Sequence, residues 1–395
     1  MEEVYPSKFY SKKEWEILRK ESEKYPTPNT VTDLALVKES FNEIKKEFSY
    51  AKIFCAIKAN PDRKVMKLLK ELESNFDVAS TFEIDQLMSV GVDPSKLSFG
   101  NTIKKPCDIK YAYEKGVRLF VTDSEGDLKS IAENAPGSNV FFRLLLFPKV
   151  KSSWPLCYKF GAEEDVVKEL IVKAKELGLV PKGLSFHVGS QQTTIEAWDS
   201  PIEICANIYK EMKEKHQIEL DYLNLGGGLP GRYFEDVPSL HEYATTIKSY
   251  LDKYFPDGVP KNVVIEPGRG VFAKSSIMAT SVVLVAKKSN KTNDRWVFID
   301  AGVYNGLLDA IDECIHYPLY TTAKGELSSD FIIAGPTCDS FDIIYRKFRN
   351  PLPKDIKTGD RIYLLQTGAY TNSSCMVEFN GFPPTPCYII DSSMM

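Results

Sequence analysis

The feature that most constrains this 395-residue chain is a rhythm of short apolar runs set between amphipathic helical patterns. Runs fall at 52–58, 75–80, 97–101, 118–124, 140–146, 183–190, 221–228 and 262–269. Between them lie stretches with helical periodicity, such as Lys64 to Leu72, Glu163 to Leu177 and Leu240 to Tyr254. Short, fully apolar strands alternating with amphipathic helices build parallel βαβ units. Eight such units predict a closed (β/α)8 barrel, and a doubly wound sheet is the alternative. The two differ in where they put polar residues. Lys58, Asp77, Arg143, His187, the glycines 226–228 and Glu266 all stand at or near the C-terminal ends of runs. A barrel gathers those ends at one mouth, whereas an open sheet strings them along a crevice.

The rhythm stops after Arg269. Ile277 to Val285, Arg295 to Asp300, Phe331 to Ala334 and Arg361 to Leu365 read as strands without long helices between them, interrupted by one helical piece, Leu307 to Ile315. The expected architecture is a barrel over 35–274 followed by a mainly antiparallel β domain made of 275–395 and the N-terminal 1–34. In that N-terminal part, Lys12 to Lys24 reads as a helix and Asn29 to Asp33 as an extended piece.

Composition excludes several classes. Fifty basic and 54 acidic residues give a net charge of −4 with the signs interspersed, which argues against nucleic acid or an anionic membrane as partner. No apolar run reaches the ~18 residues of a spanning helix, and the acidic start lacks the order of a signal peptide. Eight cysteines stand singly, without CxxC or zinc-ligand spacing. They point to reduced thiols in a cytosolic protein, and no metal site is expected.

Individual motifs leave choices open. Lys58, in Ala56-Ile57-Lys58-Ala59-Asn60, either extends its amine into water or lies buried, where desolvation favours the neutral, nucleophilic amine. Gly226-Gly227-Gly228-Leu229-Pro230-Gly231 has the GxGxxG spacing, but Pro230 and the polar stretch after it forbid the helix that a dinucleotide site needs. A turn whose amides cradle a single phosphate and a plain barrel loop both fit. Glu266-Pro267-Gly268-Arg269 presents a carboxylate suited to a protonated ring nitrogen and a guanidinium suited to phosphate, or else an internal ion pair. His187 is a core histidine or a flat ring for stacking, with Ser190 beside it as a hydroxyl donor. The turns at Gly335 to Ser340 and Gly368 to Thr371 add polar residues from the β domain. Together these groups make the inventory of a pyridoxal phosphate site.

With AIKAN, FDVAS, FGNTIKK, LSFHVGSQ, LNLGGG, EPGR, GPTCDS, GAYT and FNGFPP taken together, the chain resembles the alanine-racemase-fold pyridoxal phosphate decarboxylases over its full length. Within that group it resembles the ornithine/lysine decarboxylases of the bacterial-type branch. The resemblance implies that Lys58 forms a Schiff base with the cofactor, Glu266 meets the pyridine nitrogen and His187 stacks on the ring. Ser190, Gly226, Gly227, Gly228, Arg269 and Tyr370 would hold the phosphate, with Asp77 and Arg143 near the Schiff base. Cys338 and Asp339 would reach across a homodimer interface, the cysteine as proton donor to Cα and the aspartate as receiver of the distal amine. Lys159 would pair with Asp342 across the same interface. Substrate would also meet Phe379 and the Asp312-Glu313 pair of GLLDAIDECIHYP, where animal ornithine decarboxylases have Tyr-Asp. The expected reaction is L-ornithine to putrescine and carbon dioxide, with L-lysine as a second substrate. Arginine decarboxylase and a catalytically dead regulator on the same fold stay as alternatives. Diaminopimelate decarboxylase is disfavoured by CDS in place of that group's CES.

Overall fold

A computed structural model of the chain describes residues 6–146 and 159–395. Helix α1 (Lys12–Ser22) opens on a capping box, Ser11 with Glu14, and is followed by strand β1 (Asn29–Asp33) and helix α2 (Leu34–Glu47). Eight parallel strands then close into a barrel. They are β2 (Lys52–Ala56), β3 (Asn75–Val78), β4 (Leu97–Phe99), β5 (Leu119–Thr122), β6 (Asn139–Arg143), β7 (Val180–Ser185), β8 (Tyr222–Asn224) and β9 (Asn262–Ile265). The helices between them are α3 (Arg63–Glu71), α4 (Thr81–Ser89), α5 (Pro106–Glu114), α6 (Glu125–Asn134), α7 (Glu164–Glu176), α8 (Asp199–His216) and α9 (Leu240–Tyr254). Asp62, Ser80, Ser124 and Ser239 cap four of these helices, so the polar residue that ends each loop also starts the helix.

The strands are shorter than the apolar runs, because each run continues into the loop that carries its functional residue. Strand β2 ends at Ala56, and Lys58 lies beyond it in a 3-10 turn, Ile57–Ala59. Alternation within the strands sorts the side chains into two layers. Phe54, Val121, Phe141, Tyr222 and Val264 form one cluster, the barrel interior. Their neighbours Ile53, Cys55, Phe120, Val140, Phe142, Leu223, Val263 and Ile265 join the larger cluster against the helices. Each such side chain, fully buried, contributes about 1.5–3 kcal/mol.

The same alternation aims the polar residues. Two residues on from Phe141 is Arg143, and two on from Val264 is Glu266; both therefore point inward at the mouth. Phe76 and Val78 belong to the outer layer, so Asp77 faces in, and by the same parity between Leu184 and Phe186 so do Ser185 and then His187.

After the short helix α10 (Arg269–Phe272), the chain enters a mainly antiparallel sheet domain. Its strands are β10 (Ser276–Lys287), β11 (Arg295–Ile299), β12 (Leu319–Thr321), β13 (Leu327–Ser328), β14 (Phe331–Ala334), β15 (Ile343–Tyr345), β16 (Leu352–Pro353), β17 (Arg361–Leu365) and β18 (Cys387–Ile390). The main path runs β12-β17-β10-β11-β14-β15. N-terminal β1 joins this sheet, antiparallel to β10 and parallel to β18. The expected helical piece at 307–315 is instead a 3-10 segment, Leu308–Glu313, broken at Ile311 and by a left-handed Asp312. Among the described residues no helix is long and apolar enough to cross a membrane.

Candidate active site

Lys58, Asp77, His187, Ser190, Gly227, Gly228, Glu266, Arg269 and Tyr370 line one cavity at the C-terminal mouth of the barrel. Five barrel loops or strand ends and one loop of the β domain supply them. Lys58 has more than a third of its surface open, and that surface faces this cavity. Burial works to lower its pKa, but Tyr370, Asp77 and Glu266 outweigh burial and hold it above the ordinary value. Desolvation alone would favour the neutral amine, but Tyr370, Asp77 and Glu266 shift the balance toward the ammonium.

Glu266 is fixed by a residue that the sequence reading passed over. Asn224, at the end of β8, donates from Nδ2 to Glu266 Oε1, and its Oδ1 accepts from the Gly226 amide at 2.9 Å. One amide thus orients both the carboxylate and the glycine turn. The LNLGGG motif contained the signal, since an Asn closing an apolar strand needs partners for its amide.

The glycines of that turn are there for space and backbone. Gly226 and Gly228 have φ of 69° and 108°. A Cβ on Gly227 would lie 2.8 Å from the Glu266 carbonyl oxygen and 3.0 Å from His187 Nε2. The His187 ring accepts at Nδ1 from the Gly189 amide at 3.0 Å. Burial, then the charges of Arg143 and Lys58, push its pKa well below the usual 6.5, which favours the neutral ring.

Asp77 packs its carboxylate against the backbone of Gly100, where any Cβ would collide with it, and its Oδ1 is buried without a partner. Burial and the neighbouring Glu266 raise its pKa. Glu83, another residue missed in the sequence, caps the Ala79 amide at 2.5 Å and feels the charge of Lys58. Arg143 stands behind the cavity with its guanidinium over the Phe160 ring at 4.9 Å.

Tyr370 comes from the β domain. Its amide donates to the Ala59 carbonyl at 2.8 Å, and Asn60 Nδ2 donates to the Gly368 carbonyl at 3.1 Å. The last two residues of AIKAN thus dock GAYT beside Lys58. Lys104 of FGNTIKK serves the scaffold: buried, it donates to the carbonyls of Asn101 and Val121 and to Asp127 Oδ2 at 2.8–2.9 Å.

Arg269 does not pair with Glu266. Its side chain is 3% exposed and bound through Nη1 to Asp309 Oδ2 at 2.6 Å, with Ser190 Oγ on the other edge of the fork. Asp309 was another residue that the sequence did not disclose.

Cys338, exposed, and Asp339, half-buried, lie in the β domain and do not line this cavity. Asn380 holds Cys338 from both sides, accepting from its amide at 3.0 Å and donating to Sγ at 3.2 Å. Asp339 accepts from the Phe341 amide at 2.8 Å and from Tyr304 OH at 2.9 Å, and these bonds lower its pKa. Phe379 stacks on Tyr304, 4.6 Å between centroids. Phe341, Met376 and Val377 are exposed nearby in sequence.

Two carboxylates expected at the substrate end and the interface make hydrogen bonds within their own chain. Glu313 is not a free substrate carboxylate: it accepts the amides of Arg346, Lys347 and Phe348 at 2.7–2.8 Å. Asp312 beside it is exposed. Asp342, expected to meet Lys159 across an interface, is 2% exposed and accepts from the Val303 and Thr337 amides and the Thr337 hydroxyl of its own chain.

The residues fit pyridoxal phosphate. A lysine, two acidic side chains and an imidazole line the cavity together with a glycine turn, Ser190 and Arg269, groups suited to an anion. Comparison with known proteins agrees. The family described as "Pyridoxal-dependent decarboxylase, pyridoxal binding domain" matches residues 34–273. A lysine/ornithine decarboxylase of Selenomonas ruminantium is 31% identical over 385 residues, covering 96% of this chain and 93% of the relative. The structure of a Vibrio vulnificus lysine/ornithine decarboxylase complexed with putrescine superposes with a TM-score of 0.84 at 28% identity, covering 96% and 99% of the two chains. The Paramecium bursaria Chlorella virus arginine decarboxylase gives 0.84 at 26% identity, covering 95% and 100%. Barrel, cavity and relatives converge, and the chain belongs to the pyridoxal-dependent decarboxylases.

Proposed function

We propose that the chain decarboxylates L-ornithine to putrescine and carbon dioxide, accepts L-lysine as a second substrate, and works as a cytosolic homodimer in polyamine formation. The observation that carries this reading is the division of the chemistry. The cofactor groups converge on one cavity, while Cys338, exposed, and Asp339, half-buried, stand outside it, as residues meant for a partner's cavity would. The Vibrio vulnificus relative was solved with putrescine, the product expected here.

In this reading Lys58 would hold the cofactor covalently, and Ser190, the glycine turn, Arg269 and Tyr370 would hold its phosphate. Pyridoxal phosphate, when bound, supplies an electron sink for the bond between Cα and the substrate carboxylate. Glu266, oriented by Asn224, keeps a proton on the pyridine nitrogen. His187, its pKa depressed, would offer an uncharged ring to one side of the cofactor. Asp77 and Arg143 set the potential around the Lys58 amine.

Cys338 of the partner chain delivers a proton to Cα once carbon dioxide has left. Asp339, held ionised by its two donors, receives the distal ammonium. Asp312, exposed next to the committed Glu313, is the second carboxylate for that end. Phe379 packs along the substrate's methylenes.

Product analysis after incubation with ornithine, lysine, arginine and diaminopimelate tests this. Putrescine should predominate, with cadaverine next. Predominant agmatine, or no amine at all, would overturn it.

A further inference from the structure

Arg269 begins helix α10, and its fork is divided between two tasks. Nη1 donates to Asp309 Oδ2 at 2.6 Å and to Tyr233 OH at 3.0 Å. Nε and Nη2 both reach Ser190 Oγ, at 3.3 and 3.1 Å, on the side of the cavity. The Tyr370 ring lies 4.8 Å from the guanidinium carbon. A guanidinium is a rigid five-donor plane on a flexible stem. Its charge is assured; which edge it presents is not. Asp309 is itself buried and belongs to the 3-10 segment Leu308–Glu313 of the β domain. A residue of the second domain thus grips one edge of a barrel arginine and turns the other toward Ser190.

We propose that Asp309 is a positioning residue for the cofactor phosphate. It does not touch the phosphate, but holds Arg269 with its Nε–Nη2 edge presented to it. This rests on the assignment of Arg269 to the phosphate given above. Two effects oppose each other. The Asp309 charge offsets part of the pull of Arg269 on a dianion, and its hydrogen bond fixes the fork. With Arg269 3% exposed, water cannot replace the lost acceptor, so loss of the grip prevails.

The test separates phosphate grip from folding. Full-length protein stripped of cofactor is titrated with pyridoxal phosphate and with pyridoxal, which lacks the phosphate, following absorbance of the lysine adduct. The ratio of the two affinities is the readout, with thermal melting alongside. Asp309→Asn keeps the shape and removes the charge; Asp309→Ala removes both. The ratio should fall about tenfold in Asp309→Ala and less in Asp309→Asn, with pyridoxal affinity unchanged. An unchanged or raised ratio overturns the proposal. Equal loss of both affinities with a lowered Tm marks a merely structural role and also overturns it. Arg269→Ala distinguishes the layers. If it leaves the ratio intact, the phosphate assignment itself is wrong. If it collapses the ratio while the Asp309 variants do not, only the role of Asp309 fails.

Discussion

Asn224 donates from its side-chain amide to Oε1 of Glu266, one strand away in the barrel, and with its own oxygen accepts from Gly226. The register explains the reach. Asn224 pairs with Val264, and Glu266 is the next inward residue beyond it. In the proposed role Glu266 would keep a ring nitrogen protonated, and the Asn224 bond fixes the direction of that carboxylate. Glu266→Gln should retain cofactor yet lower kcat about a hundredfold or more, with little change in KM, because the charge acts mainly in the transition state. Asn224→Ala should lower kcat about tenfold in the same direction. Steady-state kinetics of both variants decide it; a near-normal kcat in Glu266→Gln would remove the assigned role.

His187 makes stability depend on acid. Burial first, and then Arg143 and Lys58, depress its pKa well below the unfolded value of 6.5. Between the folded and unfolded values the unfolded chain binds the additional proton. The contribution of His187 is therefore fully present above pH 6.5 and is lost as pH falls toward the folded value. His187→Phe keeps a flat ring and removes the titration. Cofactor-free wild type should lose more of its urea midpoint between about pH 7.5 and about pH 5 than His187→Phe does. Equal losses would show that His187 is not buried in its neutral form.

Glu313 and Asp312 are adjacent, and different work is expected of each. Glu313 closes three backbone amides of the 346–348 loop, so Glu313→Ala should cost about 1–3 kcal/mol of stability. Asp312 has a φ of 51°, which Asn tolerates, so Asp312→Asn should leave the melting temperature nearly unchanged. Its KM for ornithine should rise, since the distal ammonium loses a charge partner. Melting curves and KM for both variants check this. A KM effect confined to Glu313→Ala would reverse the assignment.

The shared site predicts rescue between two dead variants. In the proposed reading Lys58→Ala lacks the cofactor-binding amine, and Cys338→Ala lacks the proton donor. If the two residues serve one cavity from different chains, a mixed dimer carries both lesions in one site and neither in the other. Random pairing makes about half the dimers mixed, each with one intact site, so activity should return to about a quarter of wild type. Mixing under exchange conditions and measuring amine production decides it. No recovery would mean that each cavity is completed within its own chain.

Much of this protein was legible in the sequence because its signals are local. Apolar runs of strand length between amphipathic helices admit few topologies, and the inward parity of Asp77, Arg143, His187 and Glu266 follows from counting along each strand. AIKAN, LNLGGG and EPGR therefore announced where the cavity lies. What the sequence withheld depends on distance through space. Asn224 and Glu266 are 42 residues apart, Ser190 and Arg269 are 79 apart, and Arg269 and Asp309 are 40 apart in two different domains. No periodicity links such pairs. The tertiary structure alone decided that the carboxylate beside Arg269 is Asp309 and not Glu266. It also decided that Glu313 and Asp342 spend their oxygens on amides of their own chain. A carboxylate's role is set by which donors folding brings within about 3 Å, and a linear pattern does not carry that information.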